Sequence, residues 1–433
     1  MTGRPADWID ANEALARVLA AIRPLGTEEL ALEECDGRVL AESVHSPIDQ
    51  PAWDNSGMDG YAVRAADIEG ARPDAPRMLH MIEDVPAGAF AARSVGTGQA
   101  IRIMTGAAAP RGADSVVRLE HTRREGDRIL VLRADDAGRN IRPRAEDLRT
   151  GDVAVEAGRA IRAAEIGVLA MVGAARVRVY RRPLVAVLST GDEIVELDAF
   201  DEVLAGRRIA NSNGPMLSAM VRAAGARPLR LGIAADTIDA LDERIGRALD
   251  ADADALVISA GASMGEHDLV KDALERRGFR LAFWRARVRP GSPLAFGTIP
   301  RDNAAPLAVF SLPGNPVSAL VTCELFVKPA LRRMQGRSAH MPRIVTVRVA
   351  ERVRANPGLV RFLRVRLEPA GDDGLPRARL TGPQGSGVLT GATRADALLI
   401  VPEDVEVMEA GTTAHAVLLA AADDAQESGS YVN

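Results

Sequence analysis

Three short segments combine small residues with hydroxyls or carboxylates, and each follows a continuous apolar run. They are Ser189-Thr190-Gly191-Asp192-Glu193, Ser259-Ala260-Gly261-Ala262-Ser263-Met264-Gly265-Glu266-His267-Asp268 and Ser311-Leu312-Pro313-Gly314-Asn315-Pro316-Val317-Ser318. Small residues let backbone N–H groups close on a ligand. Two of the segments run directly into a helix, whose N-terminus favours an anion, so phosphate is a reasonable ligand. Asp192, Glu193 and Asp268 could hold a hard cation such as Mg²⁺ against it, since magnesium takes one or two carboxylates plus phosphate oxygens. Singly, each loop reads better as a capped turn; three on one sheet edge point to a site. A second group is Asp54-Asn55-Ser56-Gly57-Met58-Asp59-Gly60-Tyr61-Ala62-Val63, Arg102-Ile103-Met104-Thr105-Gly106 and Arg139-Asn140-Ile141-Arg142-Pro143-Arg144-Ala145-Glu146-Asp147. Alone these read as a tight turn, a strand end and a charged connector that is as much a solvated loop as an anion site.

The surrounding pattern says what must position them. Leu15, Val18, Leu19 and Ile22 recur at helical spacing, with Asp10 and Glu13 offering a capping-box-like start and Pro24 and Gly26 a stop. From about 50 to 140, short β-branched runs (Ser115–Val117, Ile129–Leu132) lie between Gly, Pro and Asp, as in a small β-rich unit. After Pro183 strands alternate with helices: Leu184–Leu188, a helix over 215–224, another over 239–249, Ala255–Ile258, Leu307–Phe310 and a long helix over 317–334. This alternation predicts a parallel sheet covered on both faces, and in such sheets ligands bind beyond the carboxyl ends of the strands. Val345–Val349, Phe362–Leu367 and Leu398–Val401 read as strands of a final small β domain, and the polar end from 421 to 433 as a disordered tail.

With 433 residues the chain is long enough for two to four units. A net charge of −5, with both signs mixed along the chain, gives no basic stripe for a nucleic acid backbone. Cys35 and Cys323 cannot build a disulfide framework, no apolar stretch is long enough to span a bilayer, and the start lacks a signal-peptide core. The expectation is a soluble cytoplasmic protein without nucleic acid or membrane partners. Lys271 and Lys328 are the two lysines among 54 basic residues, a strong bias toward arginine.

Taken in order, the segments Asp54–Val63, Arg102–Gly106, Asn140–Asp147, Ser189–Glu193, Gly261–Asp268, Pro290–Gly297 and Pro313–Ser318 resemble the MoeA/gephyrin E-domain family, the molybdopterin molybdenumtransferases. The resemblance covers the chain from about 10 to 415. It implies a multidomain α/β protein whose parallel-sheet domain is similar to the molybdopterin adenylyltransferase fold, joined to β-rich domains and a C-terminal small β domain. The expected divisions are a connecting domain (28–50 and 141–182), a β-rich domain (51–140), the α/β domain (8–27 and 183–336) and the C-terminal domain (340–420).

The implied reaction is insertion of molybdate into the dithiolene of adenylylated molybdopterin. It includes Mg²⁺-dependent hydrolysis of the phosphoanhydride and release of AMP, the last step of molybdenum cofactor biosynthesis. By motif position the resemblance implicates Asp59, Thr105, Asp147, Glu193 and Asp268 in catalysis, with Glu193, Asp236 and Asp268 as metal ligands. It puts the substrate against Ser189, Thr190, Gly191, Asp192, Asp236, Gly261, Ser263, Gly265, Lys271, Arg285, Arg289, Pro313, Gly314, Asn315 and Ser318. Arg364 and Ser386 match positions linked to molybdate or pterin binding. Implied partners are a second copy in an elongated homodimer with clefts between subunits, the adenylyltransferase and the apo-enzymes that accept the cofactor.

The chain departs from the family pattern at five positions. Arg285 and Arg289 stand where lysines are usual, Ser292 loses a charge, Ala260 replaces a frequent glycine and Leu359 replaces a frequent arginine. A planar guanidinium is not equivalent to a compact ammonium. Ser292 and Leu359 motivate two other readings, a non-catalytic molybdopterin-binding scaffold and, since the two oxyanions share shape and charge, a tungstate-specific insertase. If Arg289 takes over a lysine's role, Arg289→Ala should weaken binding of the pterin nucleotide strongly while Arg289→Lys retains much of it; equal, negligible effects in a titration would reject that role.

Overall fold

The computed structural model describes residues 8–260, 269–302, 304–371 and 373–419. The α/β unit comprises β1 (Leu184–Thr190), α1 (Asn213–Ala223), β2 (Arg227–Ala234), α2 (Ile238–Asp250), β3 (Ala255–Ser259), α3 (Leu269–Arg276), β4 (Arg280–Arg285), β5 (Pro293–Arg301), β6 (Ala304–Leu312) and α4 (Pro316–Thr322). Its six strands lie in the order β2-β1-β3-β6-β5-β4. The first four are mutually parallel, as the alternation of strand and helix requires. β5 runs antiparallel between β6 and β4, so the sheet is mixed on that side. The short link between β5 and β6 leaves no room for a crossover, which a parallel pair would need.

β1 and β3 are apolar up to their polar carboxyl ends, Ser189-Thr190 and Ser259, because helices cover both faces. Val185, Val187, Val257 and Phe310 point into one core cluster, Ala186, Leu188, Leu256, Ile258 and Val309 into the other. The N-terminal helix Ala11–Ala21 packs on the first cluster through Ala14, Val18 and Ile22. Asp10 caps it, accepting from the Asn12 and Glu13 N–H groups. The reciprocal half of the capping box is missing, because Glu13 pairs with Arg17 instead.

The predicted long helix after Asn315 runs without a gap to Met334 but changes pitch on the way. A π-turn at Cys323–Val327 separates α4 from Lys328–Met334. Here Glu324 and Lys328 are 4% and 3% exposed, and the ammonium donates to both carboxylate oxygens at 2.7 Å. One of the chain's two lysines is therefore inside the protein.

A six-stranded sheet in the first half contains Gly60–Val63, Arg77–Val85, Gln99–Ile103, Ser115–Arg118, Thr122–Glu125 and Arg128–Val131. Gly60 is obligatory in it: a Cβ there would lie 2.0 Å from the Val117 carbonyl oxygen. Thr27–Ala31 pairs antiparallel with Arg176–Tyr180 as a separate two-stranded sheet. A third six-stranded sheet includes Ile344–Val349, Val360–Glu368, Arg377–Leu380, Ala397–Val401 and Thr413–Leu418. It is continuous with the α/β core, since Phe362, Leu398 and Val417 sit in the same cluster as Val317 and Phe326. The stretch expected to be a disordered tail lies outside the described residues.

Removing one partner of a buried ion pair strands the other charge. Lys328→Met should therefore lose about 3–5 kcal/mol in urea unfolding, and adding Glu324→Leu should recover most of it.

Candidate functional site

β1, β3 and β6 are neighbours and end level, with Ser189 opposite Ser259 and Ser259 opposite Leu312. The three loops singled out in the sequence therefore leave the sheet side by side at its carboxyl edge. Gly261, Ser263, Gly265 and Asp268 lie outside the described residues. Ala260, just before them, has φ of 76°, a left-handed conformation that an L-residue adopts at a cost of about 1–2 kcal/mol and glycine does not. Its methyl faces Gly314, where a Cβ would stand 3.2 Å away.

Two asparagines that the sequence reading passed over tie these loops together. Asn213, buried at the start of α1, donates from Nδ2 to Ser259 Oγ at 2.6 Å and to the Gly314 carbonyl at 2.7 Å. The Asn211 Oδ1 accepts from Ser189 Oγ and from the Gly214 N–H, each at 3.0 Å. Asn211 then donates to Glu196, which also accepts from Arg230. The only local signal was the Asn211-Ser212-Asn213-Gly214-Pro215 run, which reads equally well as a plain helix start.

The acidic residues of this edge are linked rather than dispersed. Asp236, after β2, accepts from the Thr190 hydroxyl at 2.8 Å and the Asp192 N–H at 3.3 Å, while Asp192 accepts from the Asp236 N–H at 3.2 Å. Glu193 folds back over Gly191, whose Cβ, if present, would lie 2.5 Å from a Glu193 carboxylate oxygen. Asp192, Glu193 and Asp236 are exposed, whereas Ser189 and Thr190 are buried. Among the described residues no group of three or more acids, histidines or cysteines converges on a metal position. One or two carboxylates beside a phosphate still suit magnesium, whose other ligands are phosphate oxygens and water. Lys271 lies exposed on α3 with Glu275 at 3.6 Å.

The C-terminal sheet closes on the same edge. The Val317 N–H donates to the Ser386 carbonyl at 3.1 Å, seating that loop on the Pro313-Gly314-Asn315 turn and beside Ser318, itself buried. Arg364, next to this loop, is completely buried; its Nη2 donates to the Pro383 carbonyl at 2.8 Å and the Gly385 carbonyl at 3.3 Å. Its Nε and Nη1 have no partner, and burial lowers the guanidinium's pKa. Buried donors of this kind call for an acceptor.

Arg285 lies 5.0 Å from the Trp8 ring, a cation–π contact. Arg289 is exposed and pairs in register with Arg361. The Ser292 hydroxyl donates to the Val288 carbonyl at 2.6 Å, so it holds the turn.

Asp59 and Thr105 meet on the β-rich sheet. The Thr105 N–H and hydroxyl both donate to Asp59 Oδ1, at 2.7 and 2.8 Å. These bonds, the backbone one foremost, hold the Asp59 carboxyl below its ordinary range, with the Arg102 charge assisting. Asn55–Ser56 pairs with Ile141–Arg142, and the Gly106 N–H donates to the Ser56 carbonyl, so the three segments of this group also come together. Asp147 is exposed in the connector, its N–H donating to the Gln50 carbonyl. Among the described residues, the side-chain hydrogen bonds of Asp59 and Thr105 stay within the β-rich unit, apart from the loops of the α/β edge.

Residues 9–173 match the family profile described as "MoeA N-terminal region (domain I and II)", 186–333 the "Probable molybdopterin binding domain" and 346–419 the "MoeA C-terminal region (domain IV)". A "Molybdopterin molybdenumtransferase" from a Nostoc species is 40% identical over 72% of this chain and 70% of its own. "Molybdopterin molybdenumtransferase 2" from Mycobacterium tuberculosis is 34% identical over 93% and 96%. The chain belongs to the MoeA family. The crystal structure of a molybdopterin biosynthesis moeA protein from Pyrococcus horikoshii superposes with a TM-score of 0.79 at 30% identity, over 95% of this chain and all of that one. The MoeA fold thus accounts for the multidomain α/β architecture from end to end.

Asn213 joins Ser259 to Gly314 through two side-chain hydrogen bonds. Asn213→Ala should lower urea-unfolding stability by about 2 kcal/mol. Asn213→Asp, which cannot donate, should do no better.

Proposed function

We propose that this chain inserts molybdenum into adenylylated molybdopterin, with hydrolysis of the phosphoanhydride and release of AMP. The observation that carries the reading is the carboxyl edge of the α/β sheet. The loops after β1 and β6 leave it with the end of β3 between them, next to a buried arginine with unfilled donors. Backbone N–H groups of the loops suit a nucleotide phosphate, and a guanidinium suits a tetrahedral oxyanion such as molybdate. Glu193 and Asp236, with Asp268, would hold Mg²⁺. When bound, the ion would neutralise charge on the anhydride. Asp236 also orients the Thr190 and Asp192 loop through its two accepted bonds.

Asp59 enters this reading as an ionised carboxylate. Thr105 occupies one of its oxygens, which leaves the other to accept a proton or hydrogen bond from bound substrate. Asp59, Thr105 and Asp147 are all exposed on a single chain, which supports a homodimer in which each cleft joins one copy's α/β edge to the other's β-rich face. A cytoplasmic protein fits this chemistry, and among the described residues no helix is long and apolar enough to cross a membrane.

A second reading, a binding scaffold without turnover, is favoured by one feature. Ser292 spends its hydroxyl on the turn and brings no charge to it. The test is to mix the protein with adenylylated molybdopterin, Mg²⁺ and molybdate, then follow AMP and activation of an apo-molybdoenzyme. Molybdate-dependent AMP release with enzyme activation, reduced at least roughly 100-fold by Asp59→Asn, is the expected result. Tight binding of the pterin nucleotide without AMP would leave the scaffold. Competition by tungstate in the same assay decides metal preference.

A further inference from the structure

At the opposite end of the α/β sheet an open cavity of about 700 Å³ lies where the chain enters β1 and β2. It is lined by Arg182, Arg222, Arg227 and Arg337, with Asp36 the one acid. Among the described residues none of the four arginines has a carboxylate within ion-pair distance. The contrast with the neighbouring residue is informative. Arg181 is clamped by the buried Asp254 through two bonds, at 2.7 and 3.0 Å, and serves the fold. Among the described residues the Arg182 side chain donates only to the Asp36 carbonyl, at 3.2 Å. Arg337 is half-buried, and its Nε is fully buried without an acceptor. Burial, then the Arg332 charge, lowers the pKa of its guanidinium, so a counter-anion here would relieve a standing electrostatic cost.

Four positive charges face one carboxylate and the C-terminal end of α1, whose dipole amounts to roughly half a negative charge. The cavity is therefore strongly positive. Gly37 and Gly225, both at positive φ, turn the chain around its rim, and Ala223, Ala226 and Pro228 supply an apolar wall.

We infer that this cavity is a second anion site, built for a small phosphate-bearing polyanion and separate from the carboxyl-edge site. The length of β1 separates the two by about 20 Å. The inference does not depend on the reaction proposed above.

Calorimetric titration of the whole protein with inorganic pyrophosphate, at low ionic strength, tests it. Saturable binding is expected that Arg222→Gln and Arg337→Gln each weaken roughly tenfold while Arg289→Ala leaves it within about twofold. Arg222 is exposed, so its variant separates loss of ligand from loss of fold. A parallel titration with AMP distinguishes the source. If the Arg222-sensitive binding is tighter for AMP, the apolar wall receives a base and the ligand is a nucleotide; if tighter for pyrophosphate, it is an inorganic phosphate. Absence of saturation at millimolar pyrophosphate would overturn the proposal. So would binding that Arg289→Ala abolishes and Arg222→Gln does not touch.

Discussion

The candidate site depends on where three parallel strands stop. Because β1, β3 and β6 are adjacent and end in register, the chain leaves all three at one edge. Helices cover both faces of these strands, so their alternating apolar side chains are committed to the two core layers they fill. Asn213 then converts closeness into rigidity by bonding Ser259 and Gly314 at once. Both groups are backbone-proximal, so the amide sets the loop spacing rather than merely filling space.

Charge is handled in two ways in this arginine-rich chain. Where an ionic group serves the fold it is matched, as in Arg181 with Asp254, Arg118 with Asp136, and Lys328 with Glu324. The Asp136 case shows the balance. Burial pushes its carboxyl up, but the Arg118 side chain and backbone bonds bring it down to about 2. Where arginines stay unmatched, at Arg364 and around Arg337, buried nitrogens lack acceptors. Such groups are costly unless an anion arrives, which is why they mark binding surfaces more sharply than the number of arginines does.

Lysine and arginine also part company physically. Lys328 fits a fully enclosed i,i+4 pair, where a compact ammonium can meet both oxygens of Glu324. A guanidinium fork needs more acceptor partners than that space offers. Arg285, by contrast, sits over the Trp8 ring, a contact that suits a planar cation.

The local chemistry of the chain was legible from sequence alone. The apolar runs with loops of small and acidic residues after Leu188 and Ile258, the helix start at Asp10 and the alternation of strand and helix all follow from periodicity and turn preferences acting over a few residues. Ala260 at a left-handed φ likewise explains why glycine is the natural residue there. Other features needed the closed chain. Asn213 contacts residues 46 and 101 positions away, the antiparallel β5 makes the sheet mixed, and a π-turn widens the helix after Pro316. Strand order, burial and long-range pairing come into being only when distant segments exclude water from one another. A single asparagine, or an arginine with no carboxylate in reach, has nothing in its neighbours along the chain to give it away.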